Sequence, residues 1–189
     1  MIILASTSPR RKQLLQILGL EFTTVSSDVD EKLNPRLKPR RQAEVLSLEK
    51  AESLVDRYPD AIIIAADTLI GFEDEIFIKP KDLKDARRML RQLSGKTHSI
   101  YTGLTIIDTK TKKKVTKSVE TIVTFRNLTP KEISGYLATK EPYDKAAAYA
   151  IQGLGAIFVE KIEGDYMGAV GLPLNLLAKE LKKLGVAVL

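Results

Sequence analysis

No cysteine and no tryptophan occur among the 189 residues, and histidine appears once, as His98. The missing cysteines exclude disulfide frameworks, thiolate zinc sites, redox Cys pairs and cysteine nucleophiles. A lone histidine excludes HExxH metal sites and multi-histidine clusters, and any Ser-His-Asp triad would have to pass through that residue. Long apolar runs are missing too. The longest, Ala61 to Ala66, falls far short of the roughly 20 residues that a bilayer span needs. At the N-terminus the arginines follow the apolar stretch Ile2 to Ala5, the reverse of a signal peptide, so a cytoplasmic protein is expected. What remains for chemistry is carboxylates, lysines, arginines and backbone amides, the groups with which proteins handle phosphate. Lys and Arg outnumber Asp and Glu by 30 to 24, and the net charge of +6 favours anionic partners, nucleotides and nucleic acids alike.

The length suits one domain spanning residues 1–189. Ile2 to Ala5 reads as a short buried strand running into Ser6-Thr7-Ser8-Pro9, where Ser8 can cap a helix that begins at Pro9 and ends at Gly19. Asp28 to Arg41 reads as a loop, followed by a helix over about 40–57 with Ala43, Leu46 and Leu54 on one stripe. Ile62 to Ala66 is a β-branched run suited to a strand covered on both faces, with Asp67-Thr68 at its C-terminal part. Asp82 caps a helix carrying Ala86, Met89, Leu90 and Leu93, closed by Gly95. Alternating stretches around Ser99–Ile107 and Val115–Phe125 flank a hairpin turn at 108–112. Thr129-Pro130-Lys131-Glu132 is a capping box. Ala156 to Ile162 reads as a strand, Gly164-Asp165-Tyr166 as a turn, and Pro173 to Lys183 as a last amphipathic helix. Helices and strands alternate at both ends around a hairpin-rich middle, which gives an α/β fold with a mixed β-sheet and flanking helices.

Two motifs fail on their context. Ser94-Gly95-Lys96-Thr97 resembles the end of a Walker A loop, but the required earlier glycine is Leu90, inside a helix. Gly153-Leu154-Gly155 begins a dinucleotide fingerprint whose third glycine is Phe158.

Other residues carry both a structural and a chemical reading. Arg10 and Arg11 sit where a helix dipole disfavours cations and welcomes anions, so they are either incidental surface charge or recruited for a phosphate. Lys50 lies on the apolar stripe of its helix, where it must either snorkel outward, the commoner case, or serve a polar cavity. Asp67 either caps a turn or belongs to a ligand site near the strand end. Asp28-Val29-Asp30-Glu31 is either solvated or a site for a hard cation such as Mg2+. Lys79 is held extended before Pro80. Tyr143 to Gly153 mixes small residues with Asp144, Lys145 and Gln152, as a close-fitting pocket wall would, and Gln152 can both donate to and accept from a nucleobase edge.

Together these segments resemble the Maf family of nucleoside triphosphate pyrophosphatases over essentially the whole chain. The resemblance rests on Leu4-Ala5-Ser6-Thr7-Ser8-Pro9-Arg10-Arg11, Asp28-Val29-Asp30-Glu31, Ala66-Asp67-Thr68, Lys79-Pro80, Tyr101-Thr102-Gly103, Asp144-Lys145-Ala146, Ile151-Gln152-Gly153, Glu163-Gly164-Asp165-Tyr166 and Val170-Gly171-Leu172-Pro173, in this order. It implies a two-lobed α/β structure similar to inosine triphosphate pyrophosphatases, with a nucleotide cleft between the lobes, in a cytoplasmic and often dimeric protein. Arg10, Thr68 and Gln152 match the specificity positions of the branch acting on dTTP and UTP. The branch acting on 7-methyl-GTP differs at all three. The resemblance further implies Asp67 as general base, Glu31 and Asp67 as ligands of a divalent cation, Mg2+ or Mn2+, and Ser6, Arg11, Lys50 and Lys79 as phosphate-binding residues. The expected partner is a pyrimidine nucleoside triphosphate, with no membrane. The alternatives are a 7-methyl-GTP pyrophosphatase, or a non-enzymatic septum-formation regulator or nucleic-acid binder, although no aromatic-interleaved basic strand or helix-turn-helix signal accompanies the last reading. Ala147 and Ala150 stand where the family usually has a small residue, commonly glycine, and Met167-Gly168-Ala169 replaces a more usual aromatic-Asn-Val stretch.

Overall fold

The computed structural model describes residues 1–73, 75–139 and 141–188, without the side chain of Asp144. Ile2–Ala5 (β1) takes parallel neighbours on both sides, Thr23–Val25 (β2) and Ile62–Phe72 (β3). The connections run through Pro9–Gln16 (α1) and Pro39–Glu52 (α2), as parallel pairing requires a crossover. From β3 onward pairing is antiparallel, with Glu75–Phe77 (β4) on the far end of β3 and Thr97–Asp108 (β5) along its length. Lys113–Phe125 (β6) and Val159–Gly164 (β7) complete a sheet of order β2-β1-β3-β5-β6-β7. The remaining helices are Leu83–Leu93 (α3), Pro130–Leu137 (α4), Tyr166–Val170 (α5) and Leu174–Lys183 (α6).

The side-chain period of a strand assigns each face of β3 its own neighbours. Ile64, Ala66 and Ile70 point into the main core, among Leu14 and Leu15 of α1, Leu90 of α3 and Leu177 of α6. Ile63, Ala65 and Leu69 point the other way and share two smaller clusters with Ala43, Leu46 and Ala51 of α2. Asp67 belongs to the α2 face and Thr68 to the α1 face. The parallel ladder ends with Leu4 opposite Ile64, so both residues lie just past the end of β1 while β5 still pairs them on the other side.

Gly103 fixes how closely α2 approaches. It is opposite Asp67 in the β3–β5 register, and a Cβ built on it would lie 2.1 Å from the carbonyl oxygen of Ala43 in α2. Helix backbone therefore rests directly on sheet backbone here, bringing the later turn of α2 that carries Lys50 over Asp67.

Most expected elements are present, including the capping box at Thr129 and the cap at Asp82, which accepts the Asp85 N–H at 2.7 Å. Gly95 follows α3 at φ +65°, a helix end rather than a phosphate loop. Four expectations need correction. The strand over 62–66 continues to Phe72, because Thr102 and Gly103 of β5 extend the ladder past the polar pair Asp67-Thr68. The helix over 40–57 starts at Pro39 and is regular only to Glu52, continuing as turns. The strand over 156–162 begins only at Val159. Residues Leu154–Phe158 form a 3-10 helix instead, since Gly153 turns the chain at φ +94° and Gly155 packs against the Ala150 carbonyl too closely for a Cβ. The turn at 164–166 opens α5, capped by Asp165, whose side chain accepts the Gly168 N–H at 2.9 Å.

Gly103→Ala is expected to lower stability by about 1–3 kcal/mol, the usual cost of overpacking a close contact. Thermal unfolding checks this, and an unchanged midpoint would show that α2 can lift without cost.

Candidate active site

A cavity of about 820 Å³ opens past the end of β1, within the roughly 300–1,000 Å³ typical of small-molecule sites. The residues given catalytic, phosphate-binding, specificity and metal roles in the sequence analysis all line it: Ser6, Arg10, Arg11, Glu31, Lys50, Asp67, Thr68, Lys79 and Gln152. Asp28, Lys145 and Tyr149 line it as well, whereas the side chain of Asp144 lies outside the described residues.

On the α2 face, Lys50 is 5% exposed and does not snorkel. Its ammonium is hydrogen-bonded to Asp67, itself 5% exposed, and pairs with Glu31 at 2.7 Å. Burial raises the Asp67 pKa, against the opposing pull of Lys50 and Arg11. For the half-exposed Glu31 burial acts in the same upward direction, but the hydrogen bond and charge of Lys50, helped by Lys79 and Arg11, prevail and lower its pKa. One cation thus holds two carboxylates whose proton affinities are displaced in opposite directions. Of the three acids at 28–31 only Glu31 joins this cluster. Asp30 pairs with Lys32 at 2.9 Å in solvent, and Asp28 accepts the Ser26 hydroxyl at 2.9 Å.

On the α1 face, Arg11 is anchored by donating from Nε to the Gly171 carbonyl at 3.0 Å. Its terminal nitrogens reach Ser6 Oγ at 3.5 Å and Thr68 Oγ1 at 3.4 Å. Thr102, fully buried on β5, donates to the Gly168 carbonyl at 2.8 Å and therefore accepts from Thr68 at 3.0 Å. The chain Arg11, Thr68, Thr102, Gly168 ties the guanidinium to α5. Ser8 begins α1 with extended backbone but makes no side-chain capping bond. Ser6 Oγ instead accepts the Ser8 N–H at 3.2 Å.

His98 does not line the cavity. Its Nε2 lies 2.6 Å from the hydroxyl of Tyr149, and burial lowers its pKa to about 4, so it stays neutral above that pH. Thr102, Gly168 and Gly171 emerge as supports only in three dimensions. Thr102 and Gly171 fall within the quoted segments Tyr101-Thr102-Gly103 and Val170-Gly171-Leu172-Pro173, and the Asp165 cap three residues before Gly168 is the sequence signal for the missed helix α5.

Fold and site define an α/β protein whose cavity gathers a buried lysine and an anchored arginine beside a pair of carboxylates. The chain belongs to the Maf family, whose model, described as Maf-like protein, matches residues 1–184. A Bacillus cytotoxicus protein named dTTP/UTP pyrophosphatase is 46% identical over 181 residues, covering 96% of this chain and 94% of its own. Proteins of the same name from Bacillus anthracis and Geobacillus sp. are 46% and 44% identical, over 99% and 97% of this chain and 97% and 98% of theirs. Among solved structures, Ham1 proteins of Staphylococcus aureus and Coxiella burnetii superpose with TM-scores of 0.50 and 0.51. Each match covers 96% of this chain and 98% of the other, at 11% and 12% identity, a likeness of fold that agrees with the mixed α/β architecture expected from the sequence. Among the described residues no helix is long and apolar enough to cross a membrane.

If Asp67 must be ionised for activity, the acid limb of kcat/KM lies above the ordinary carboxylate value of about 4, because burial raises its pKa. Lys50→Met removes an opposing cation, so the limb moves to still higher pH. A pH–rate profile of both proteins checks this, and an unmoved limb would separate Lys50 from the ionisation of Asp67.

Proposed function

We propose that this protein hydrolyses dTTP and UTP to the nucleoside monophosphate and pyrophosphate, cleaving the bond between the α and β phosphates. The observation that carries the reading is the buried Lys50 held by Asp67 and Glu31 in the same cavity as Arg11. The name shared by the relatives of 44–46% identity supports it.

In this reading Asp67 orients the attacking water and takes its proton, a role for which its raised pKa makes it a better base than an exposed carboxylate. The water oxygen bonds to phosphorus as the bridging P–O bond breaks and pyrophosphate leaves. Arg11, Lys50 and Lys79, with the Ser6 hydroxyl, stabilise the charge spread over the phosphate oxygens. Arg10, Thr68 and Gln152 read sugar and base, where a polar group left unpaired by the wrong nucleotide discriminates strongly.

The residues also fit a divalent cation. Glu31 and Asp67 meet at the Lys50 ammonium on the cavity wall, and Mg2+ or Mn2+ is commonly held by one or two carboxylates completed by substrate phosphates. Among the described residues no group of three or more His, Cys, Asp and Glu side chains that could hold a metal ion exists. Such an ion, when bound, would neutralise phosphate charge and acidify water. A cytoplasmic homodimer completes the proposal, following the pattern of the family.

Pyrophosphate release from dTTP, UTP, CTP, GTP and 7-methyl-GTP, each with Mg2+ or Mn2+, tests the assignment. dTTP and UTP are expected to be preferred. No release from any would overturn the enzymatic reading, and preference for 7-methyl-GTP would overturn the branch. Asp67→Asn is expected to lower kcat by about 10²–10⁴, the usual worth of a general base, while nucleotide binding persists. Retained turnover would move the role of base elsewhere.

A further inference from the structure

Gln152 is exposed on the cavity wall, and among the described residues its amide has no hydrogen-bond partner. Nothing in the described protein holds this side chain directly, so its direction is set by the backbone of residues 150–155. That backbone is tied down from behind by two side chains that do not line the cavity. Glu141 Oε1 accepts the Gly155 N–H at 3.0 Å, and Oε2 accepts the Leu154 N–H at 3.1 Å. Tyr136 of α4 donates its hydroxyl to Glu141 Oε1 at 2.9 Å and accepts the Ala150 N–H at 3.4 Å. The bracket closes on both sides of Gln152.

The glycines of this segment suit the bracket sterically. Gly153 adopts φ +94°, and a Cβ on it would lie 2.7 Å from Glu141 Oε2. A Cβ on Gly155 would lie 2.6 Å from the Ala150 carbonyl and 2.7 Å from the Tyr136 hydroxyl. The Gly-x-Gly pattern that resembles a dinucleotide fingerprint is thus a chain folded tightly onto a carboxylate and a phenol. Burial acts to raise the Glu141 pKa, yet the two backbone amides and the Tyr136 hydroxyl outweigh it, with Lys145 adding to them, and keep the group ionised. Ring contact with Phe158, centroids 4.9 Å apart, fixes Tyr136 in turn.

We propose that Glu141 and Tyr136 are positioning residues for nucleobase selection, holding the turn that aims Gln152 into the cavity. The inference rests on the base-reading role of Gln152 given above. It places discrimination between nucleotides partly in residues that touch no substrate.

The experiment measures kcat and KM for dTTP and CTP in the wild type and in Glu141→Ala, Tyr136→Phe, Gln152→Ala and Glu141→Ala/Gln152→Ala. Glu141→Ala is expected to reduce the dTTP/CTP ratio of kcat/KM by about tenfold or more, mainly through KM, since several hydrogen bonds to a charged group are lost. Tyr136→Phe keeps the ring packing and is expected to shift the ratio the same way by a smaller factor, so the inference stays testable if the alanine variant folds poorly. In the Gln152→Ala background Glu141→Ala is expected to cost no further selectivity. If Gln152→Ala collapses the ratio while neither Glu141→Ala nor Tyr136→Phe moves it, the positioning role is overturned and base reading stands. Should Gln152→Ala leave the ratio untouched, base reading falls and this inference falls with it.

Discussion

A lysine ammonium buried between two carboxylates is the constraint on which the rest of the site depends. Lys50 and Asp67 are each 5% exposed, and each supplies the opposite charge that the other's burial calls for, with Glu31 as a second partner of Lys50. A lone buried charge costs several kcal/mol, so the partners must come together or not at all. They come from three separate places: α2, the middle of β3 and the loop before α2. The sheet register and the position of α2 are therefore requirements of the site. Gly103 meets the second, because any side chain there would push α2 away from Asp67.

The other half of the site uses the opposite face of the same strand. Asp67 and Thr68 are neighbours in sequence and face opposite sides of the sheet, one toward Lys50 and one toward Arg11. They can share one cavity because the pairing with β1 stops at Ile64 and that with β4 begins at Ile70, leaving the edge of β3 open between them. Arg11 is held by a carbonyl at Gly171 and by the relay through Thr68 and Thr102 to Gly168, so the short helix α5 sets where this cation stands. Two cationic side chains thus reach a common space from the two faces of the sheet, an arrangement suited to an elongated polyanion.

Much of this was legible in the sequence because local rules and function agreed. The apolar run before Asp67, the Ser-Pro start of α1, the capping box at Thr129 and the cap at Asp82 each gave the right element. Lys50 was informative for the opposite reason, as a charge on an apolar stripe with no structural need. Long-range contacts were not legible. Nothing local tells that Gly103 lies under Ala43, that the Gly171 carbonyl receives Arg11, or that Glu141 captures two amides beyond Gln152. The strand expected over 156–162 failed because tertiary contacts at Gly153 and Gly155 override an apolar pattern compatible with either conformation. Ala147 and Ala148, at φ +53° and +59°, occupy a region that favours glycine, and the first of them is a position where the family commonly has it.

Lys50 and Asp67 are expected to work as one unit. Residues that act together lose activity non-additively, and residues that act separately lose it by multiplication. The direct measurement is single-turnover pyrophosphate release from dTTP by Lys50→Met, Asp67→Asn and the double variant. The double variant is expected to be no slower than the slower single one. Losses that multiply would show that the buried pair is a structural ion pair next to a site whose chemistry is done by other groups.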